Sequence, residues 1–153
     1  MMNKVIYPVS LFFLFYLFFP VKRQGDHALS CKASVSYFWN EDRLDLLISQ
    51  QLDSGKGFLS VSGIVYNSDK TRTYLNRTIS FSYQQHNEFY NMKSEMIMDS
   101  PQMTMSVGEQ RKWLPEFFID SDRTMLLKIK PYGKNAWLFY SATSPLFVCE
   151  RIR

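Results

Sequence analysis

The stretch CKASVSYFWNEDRLDLLISQQLDSGKGFLSVSGIVY, Cys31 to Tyr66, decides the fold class because its apolar residues recur at every second position. The alternating positions are Cys31, Ala33, Val35 and Tyr37, then Leu44, Leu46, Ile48 and Leu52, then Leu59, Val61 and Val65. A period of two is typical of β-strands that bury one face. NED at 40–42 and SGKG at 54–57 supply turn residues between these runs, so consecutive strands are predicted to be antiparallel. Gly63 indicates a bulge or a close backbone approach.

The same pattern continues toward the C-terminus. Further strands are predicted at Tyr74–Gln84 and Phe89–Met98, in the hairpin TMLLKIKPYGKNAWLFYS at 124–141, and from Pro145 to Cys149. Only SVGEQRKWLPEFFIDSD at 106–122 departs from it, with one helical turn at Glu109–Trp113 that Pro115 halts. The sequence therefore predicts a mainly β domain, an antiparallel meander forming a barrel or sandwich of about seven strands with one or two short helices.

A different signal precedes this domain. VIYPVSLFFLFYLFFPV, residues 5–21, contains no charge and would span roughly 26 Å as a helix, which is within the range of a membrane-spanning segment. Lys22 and Arg23 follow it, and no small-residue cleavage motif stands at its boundary. We interpret it as an uncleaved signal-anchor, the alternatives being a cleaved secretory signal or a lipoprotein signal. The predicted organisation is a cytoplasmic stub at 1–4, a transmembrane anchor at 5–21, a juxtamembrane linker at 22–30 and a β-rich domain at 31–153.

Charge and cysteine content limit where the domain works. The chain has a formal net charge of +4, but residues 24–153 carry 15 basic and 14 acidic side chains, so no nucleic-acid-binding surface is predicted. Cys31 and Cys149 bracket the domain, which indicates one disulfide bond and an oxidising compartment, although two unrelated buried thiols remain the alternative. A disulfide would place the domain outside the cytoplasm, with residues 1–4 inside.

The sequence offers no recognisable catalytic or metal-binding set. Its two histidines, His27 and His86, fall in the linker and in a predicted turn, and no nucleophile, phosphate-loop or dinucleotide motif occurs. We therefore expect a protein that is not an enzyme and that holds no metal or cofactor. The most distinctive stretch is WLPEFFID at 113–120, which either plugs one end of the β-core or forms a partner or ligand surface. Its candidate binding residues are Trp113, Leu114, Phe117 and Phe118.

Several short motifs together resemble a known family. A cysteine opens the first strand, a glycine-containing strand follows, and then come NRTISFSY at 76–83, LPEFF at 114–118, WLFYS at 137–141 and PLFVC at 145–149. This pattern resembles the FidL-like inner-membrane proteins of enterobacteria, and within them the MyfF/PsaF-type accessory proteins of fimbrial regulation in Yersinia.

The resemblance implies a single-pass protein of the bacterial inner membrane with its C-terminal domain in the periplasm. It implies that this domain binds and stabilises a ToxR-like membrane-bound transcriptional regulator, as needed for expression of fimbrial virulence genes of the Myf and pH 6 antigen type. The residues themselves leave two other functions open. One is a sensor of a small bile-like or lipid-like ligand held in a β-barrel, and the other is a fimbrial assembly chaperone.

Overall fold

A computed structural model describes residues 28–152. The predicted stub, the anchor and residues 22–27 of the linker lie outside the described residues. Within the described part, no helix has the length and apolarity needed to cross a membrane.

Eight antiparallel strands in chain order form a closed barrel. The strands are β1 (Leu29–Trp39), β2 (Asp42–Asp53), β3 (Lys56–Tyr66), β4 (Arg72–His86), β5 (Phe89–Asp99), β6 (Thr124–Tyr132), β7 (Ala136–Ser141) and β8 (Ser144–Arg151). The predicted antiparallel meander is confirmed. Of the two predicted architectures, barrel and sandwich, the structure has the barrel. The described region holds eight strands rather than about seven, and the predicted last strand from Pro145 pairs with β7 along its length and with β1 at two positions.

The turns form at the positions that the sequence indicates. Asn40, Ser54 and Asn87 adopt positive φ values of 54°, 51° and 56°, which short polar side chains tolerate at hairpin turns. Each turn reverses the chain into the neighbouring strand. The alternating apolar residues therefore point into the barrel along β2, β3 and β4.

Two glycines allow the inner layer to pack closely. A Cβ on Gly57 would lie 2.3 Å from the Phe81 ring, and one on Gly63 would lie 2.5 Å from Leu46. The signal at Gly63 is thus a close approach, with β2 and β3 in unbroken register on either side of it. Because Gly57 has no side chain, the fully buried ring of Phe81 can fill this side of the barrel.

The barrel closes between its first and last strands. Only two register pairs join β1 and β8, Cys31 with Arg151 and Lys32 with Glu150, and Ile152 adds a backbone bond to Ser30. At this seam Cys31 and Cys149 form a disulfide bond with a Cα–Cα distance of 5.4 Å, and both are fully buried. The predicted pairing is confirmed, and the bond holds the narrowest seam of the barrel closed.

Between β5 and β6 the chain leaves the barrel wall. We call residues 100–123 the mouth segment. It contains helix α1 (Val107–Trp113), capped by the Ser106 hydroxyl accepting from the Glu109 amide, and a 3-10 turn at Glu116–Phe118. Pro115 separates the two, as expected. The mouth segment lies at the barrel end that carries the β1–β2 and β3–β4 turns, where Lys112 contacts Asp42 and the Thr104 amide donates to the Tyr74 carbonyl oxygen.

Candidate functional site

The barrel interior is not completely filled. A cavity of about 230 Å³ lies beneath the mouth segment, with a wall that is almost entirely apolar. Strands β1–β3 and β5–β8 contribute to this wall, through residues that include Tyr37, Leu46, Leu59, Met92, Leu127 and Leu146. The mouth segment contributes Trp113, Leu114, Pro115 and Phe118. The site is therefore a pocket inside a rigid barrel, bounded at its open end by one irregular segment.

Polar contacts hold the mouth segment to the barrel on the β2 and β4 sides. The Lys112 ammonium binds the Asp42 carboxylate at the start of β2, and the Thr73 hydroxyl donates to the Glu109 carboxylate at 2.6 Å. Because Lys112 donates this hydrogen bond and the Ser68 amide a second one, the pKa of Asp42 lies below its usual value. The negative charge of Asp42 is thus stabilised where α1 meets the barrel.

A buried arginine makes a further attachment. Arg77 on β4 is only 4% exposed, and its guanidinium makes two hydrogen bonds to the Asp99 carboxylate, at 2.8 and 3.0 Å. The same guanidinium donates to the Phe118 carbonyl oxygen at 2.6 Å. The buried Ser94 hydroxyl donates to the Asp120 carbonyl oxygen at 2.8 Å. These bonds fix the main chain next to the aromatic ring that Phe118 presents to the cavity.

Two hydrogen-bond donors in the cavity wall lack acceptors. Within the described chain, Gln50 Nε2 and Trp113 Nε1 are both buried and neither has a hydrogen-bond partner. Gln50 is 2% exposed and sits deep in the barrel, opposite Cys31 in the β1–β2 register. Trp113 belongs to the mouth segment. Leaving a buried donor unpaired costs roughly 1–3 kcal/mol of stability. A ligand with acceptor oxygens would therefore gain one hydrogen bond deep in the cavity, from Gln50, and one at its mouth, from Trp113.

The cavity wall carries no formal charge, since its lining includes no Asp, Glu, Lys, Arg or His. Burial raises the pKa of Tyr37 above its usual value of 10.0, so this phenol stays protonated at neutral pH. An ion inside such a pocket would lose its hydration without gaining a counter-ion. The pocket therefore suits an uncharged molecule with an apolar body and hydrogen-bond-accepting oxygens.

The structure places three of the four predicted binding residues on this cavity wall. Trp113, Leu114 and Phe118 line it. Phe117 points elsewhere: it is 1% exposed and packs edge-on against Phe81, with ring centroids 5.8 Å apart. The stretch at 113–120 thus closes one end of the β-core and also forms part of the pocket, because Phe117 and Phe118 point in different directions from one 3-10 turn.

Sequence reasoning missed Gln50, although a signal was present. Gln50 occupies an even position in the run Leu44, Leu46, Ile48 and Leu52, and is the only polar residue among the buried positions of β2. A polar residue at a core-facing position of an alternating strand is unfavourable for folding, so its presence there indicates a functional role. No comparable sequence signal marked Tyr37, Met92 and Leu146, because these residues come together in the cavity wall only when the barrel closes.

Within residues 28–152, no group of three or more His, Cys, Asp and Glu side chains is arranged to hold a metal ion. A search of curated proteins finds no match to the chain. A family model described as the YqeJ C-terminal domain matches residues 28–149, which cover the barrel from before β1 into β8. The chain therefore belongs to the YqeJ C-terminal domain family.

Proposed function

We propose that this chain is a non-enzymatic, ligand-responsive accessory protein of a membrane-bound transcriptional regulator. The observation that carries the ligand-binding part is the apolar cavity with two unpartnered donors, Gln50 Nε2 and Trp113 Nε1. A barrel that only served as a scaffold would gain stability from an apolar residue at position 50. Retaining an unsatisfied amide there is explained if a ligand supplies the acceptor.

The size of the cavity limits the ligand. Its volume of about 230 Å³ is below the ~300 Å³ at which sites for drug-sized molecules begin. A single flexible apolar chain with a carbonyl or hydroxyl oxygen fits this space. A rigid steroid nucleus of the bile-acid type would have to leave part of its rings in the mouth, beside Trp113. We therefore favour a compact, neutral, lipid-like molecule over a bile acid.

The test compares three probes of one chain length: 2-decanone, which is neutral with an acceptor; decanoate, which is charged; and decane, which has no acceptor. Binding is measured by titration calorimetry and by the rise in Tm that a ligand of the folded state produces. We expect 2-decanone to bind most tightly. Equal, negligible Tm shifts with all three probes would contradict a lipid-like ligand.

A matched pair of variants isolates the deep donor. Gln50→Leu should bind 2-decanone about tenfold more weakly, since a hydrogen bond worth ~1 kcal/mol or more is lost, yet should be at least as stable as the wild type. Gln51→Leu is the control, because Gln51 is the neighbouring residue and is exposed on the outside of the barrel. If Gln50→Leu destabilises the protein and leaves binding unchanged, Gln50 is a structural residue and the site assignment is wrong.

The regulatory part of the proposal rests on the resemblance to the FidL-like and MyfF/PsaF-type proteins. Residues 5–21 would anchor the chain in the inner membrane with its barrel in the periplasm, beside a ToxR-like regulator. The buried disulfide agrees with an oxidising compartment. The domain, with no basic nucleic-acid-binding surface predicted from its charge, would act on transcription through that partner.

Deletion of the chain tests this part. We expect lower fimbrial transcript levels and faster loss of the regulator, measured in the same cells. Full-length chain and regulator should also co-purify in detergent. Unchanged transcripts with lost surface fimbriae would instead indicate an assembly chaperone.

A further inference from the structure

Within residues 28–152, one edge of the barrel wall has no partner strand. β5 pairs with β6 only from Phe89 to Lys93, and Ser94 then exchanges backbone hydrogen bonds with Asp122 and Arg123. Beyond Ser94, residues 95–99 continue along β4 alone. These residues extend the strand by roughly 16 Å at ~3.3 Å per residue. We call residues 95–99 the open edge.

The register identifies which backbone groups face outward. The Ser100 amide donates to the Asn76 carbonyl oxygen on β4. Met98 and Met96 lie two and four residues earlier, pair with β4, and turn their backbone groups to the same side as Ser100. Because backbone groups alternate between the two sides of an antiparallel strand, Ile97 and Asp99 turn their N–H and C=O groups away from β4. The open edge thus offers hydrogen-bonding groups at the spacing of a β-ladder.

The local sequence opens this edge. Ser94 and Met96 pair with consecutive residues of β4, Phe81 and Ser80, so Glu95 is an extra residue that forms a bulge. A bulge bends the strand, and this one lies just beyond the last pair of β5 with β6, Lys93 with Thr124. A groove of about 540 Å³ remains between the open edge and the mouth segment. Its lining includes the carboxylates of Glu95, Asp99 and Asp120, and each has a basic partner: Lys56 for Glu95, Arg77 for Asp99, and Arg111 and Arg123 for Asp120.

The outer surface beside the groove is apolar. Met96 and Met98 are 53% and 47% exposed, and Phe58, at 56%, lies in the same cross-strand row as Met96 through Ser80. Natural edge strands are usually protected by lysine, proline or a covering segment. The open edge instead combines free main-chain groups with exposed methionine side chains, which adapt readily to a partner surface.

We propose that the open edge accepts an extended strand from the regulator that the proposed function assigns to this chain, so that β5 gains a second neighbour. An extended main chain is the occupant because it supplies donors and acceptors that match Ile97 and Asp99. Apolar residues at alternate positions of that strand contact Met96 and Met98. Within the described residues, no strand lies beside the open edge on the side away from β4.

This site also connects the partner to the cavity. Arg77 bonds both to Asp99, on the open edge, and to the Phe118 carbonyl, whose ring lines the cavity. A ligand that displaces Phe118 therefore acts on the groove through one side chain. Partner and ligand are then expected to change each other's affinity by the same factor.

The first experiment is residue-resolved amide exchange on the full-length chain in detergent, alone and with the full-length ToxR-like regulator of the same organism. Strand addition predicts slower exchange at Ile97 and Asp99 on complex formation, with little change at Met96 and Met98, whose amides already face β4. Binding without protection at Ile97 and Asp99 would overturn the open edge as the contact.

A substitution pair gives an independent measurement. Ile97→Pro removes an outward N–H, at a kind of position where edge strands tolerate proline, and should weaken regulator binding about tenfold or more. Ile97→Val keeps that N–H and should bind within about twofold of wild type. If Ile97→Pro does not fold, Met98→Lys replaces it, with Leu47→Lys on the outer face of β2 as the control. Equal binding by Met98→Lys and Leu47→Lys contradicts the proposal.

Regulator binding at the open edge and ligand binding in the cavity can be tested separately. Edge variants that lose the regulator but still bind 2-decanone support the open edge and leave the cavity site intact. A wild-type chain that binds 2-decanone but never the regulator overturns both this inference and the regulatory part of the proposed function.

Discussion

Replacing Cys31 and Cys149 together by alanine should strongly lower the free energy of unfolding, because it removes the covalent link between the two ends of the barrel. The disulfide joins residues 118 positions apart and so links the first strand to the last. A cross-link over a loop of this length reduces the entropy of the unfolded chain by an amount worth about 5 kcal/mol at 25 °C. Residual structure in the unfolded chain lowers this value, so we expect a loss of ~3–5 kcal/mol.

The position of the bond adds a local effect. β1 and β2 share eleven register pairs, whereas β1 and β8 share two. Without the disulfide, the β1–β8 seam should open before the rest of the barrel. Tyr37 on β1 and Leu146 on β8 both line the cavity, so opening the seam would also reduce ligand affinity.

Urea denaturation monitored by tryptophan fluorescence measures the global loss, and amide exchange in β8 measures opening of the seam. Wild-type protein under reducing conditions is the control, because it lacks the cross-link but keeps both sulfur atoms. It should unfold at nearly the same urea concentration as the alanine variant. If oxidised and reduced wild-type protein unfold within about 0.5 kcal/mol of each other, the reasoning is refuted.

Three further changes test the packing and the attachment of the mouth segment. Gly57→Ala should destabilise the fold by ~1–3 kcal/mol in chemical denaturation, since its Cβ would overlap the Phe81 ring, whereas Gly108→Ala, where nothing lies within 4 Å, should not. Arg77→Met should cost ~1–3 kcal/mol by losing a carbonyl bond and a carboxylate partner, and should speed proteolysis of the mouth segment. Because the pKa of Asp42 is lowered in the folded state, its contribution to stability is present above its unfolded pKa and lost as pH falls through the folded value. Asp42→Asn should therefore reduce the acid sensitivity of proteolysis at the mouth segment, and an unchanged pH profile would argue against this link.

The strands were predictable because each depends on local signals. Alternation along β2 and β3 fixes which face is buried, and residues such as Asn40 and Asn87 adopt the backbone conformations that hairpin turns require. Closure into a barrel was not decided by these signals. A sandwich and a barrel can share the same alternation, and the choice depends on whether β8 reaches β1, which is a contact between the two ends of the chain.

The candidate site was only partly accessible from sequence for a related reason. Trp113 and Phe118 stood out because large aromatic residues occur there outside a regular strand, and both line the cavity. Phe117 looked identical in sequence but packs in the core, since direction around a 3-10 turn is set by tertiary contacts. The open edge was also hidden, because Phe89–Met98 reads as one uniform strand whereas β6 pairs with only its first half.

The mouth segment arises from one continuous stretch, residues 100–123, inserted between two strands that pair without it. On the proposed ligand-binding function, ligand preference should therefore be transferable between members of the family. Exchanging this stretch between two members would move the mouth of the pocket while the strands and the disulfide of the recipient stayed in place. Such a graft would succeed only in recipients that keep the barrel side chains that hold the stretch from outside it, namely Asp42, Thr73, Arg77 and Ser94. Variation among relatives should accumulate in the stretch and spare these points of attachment.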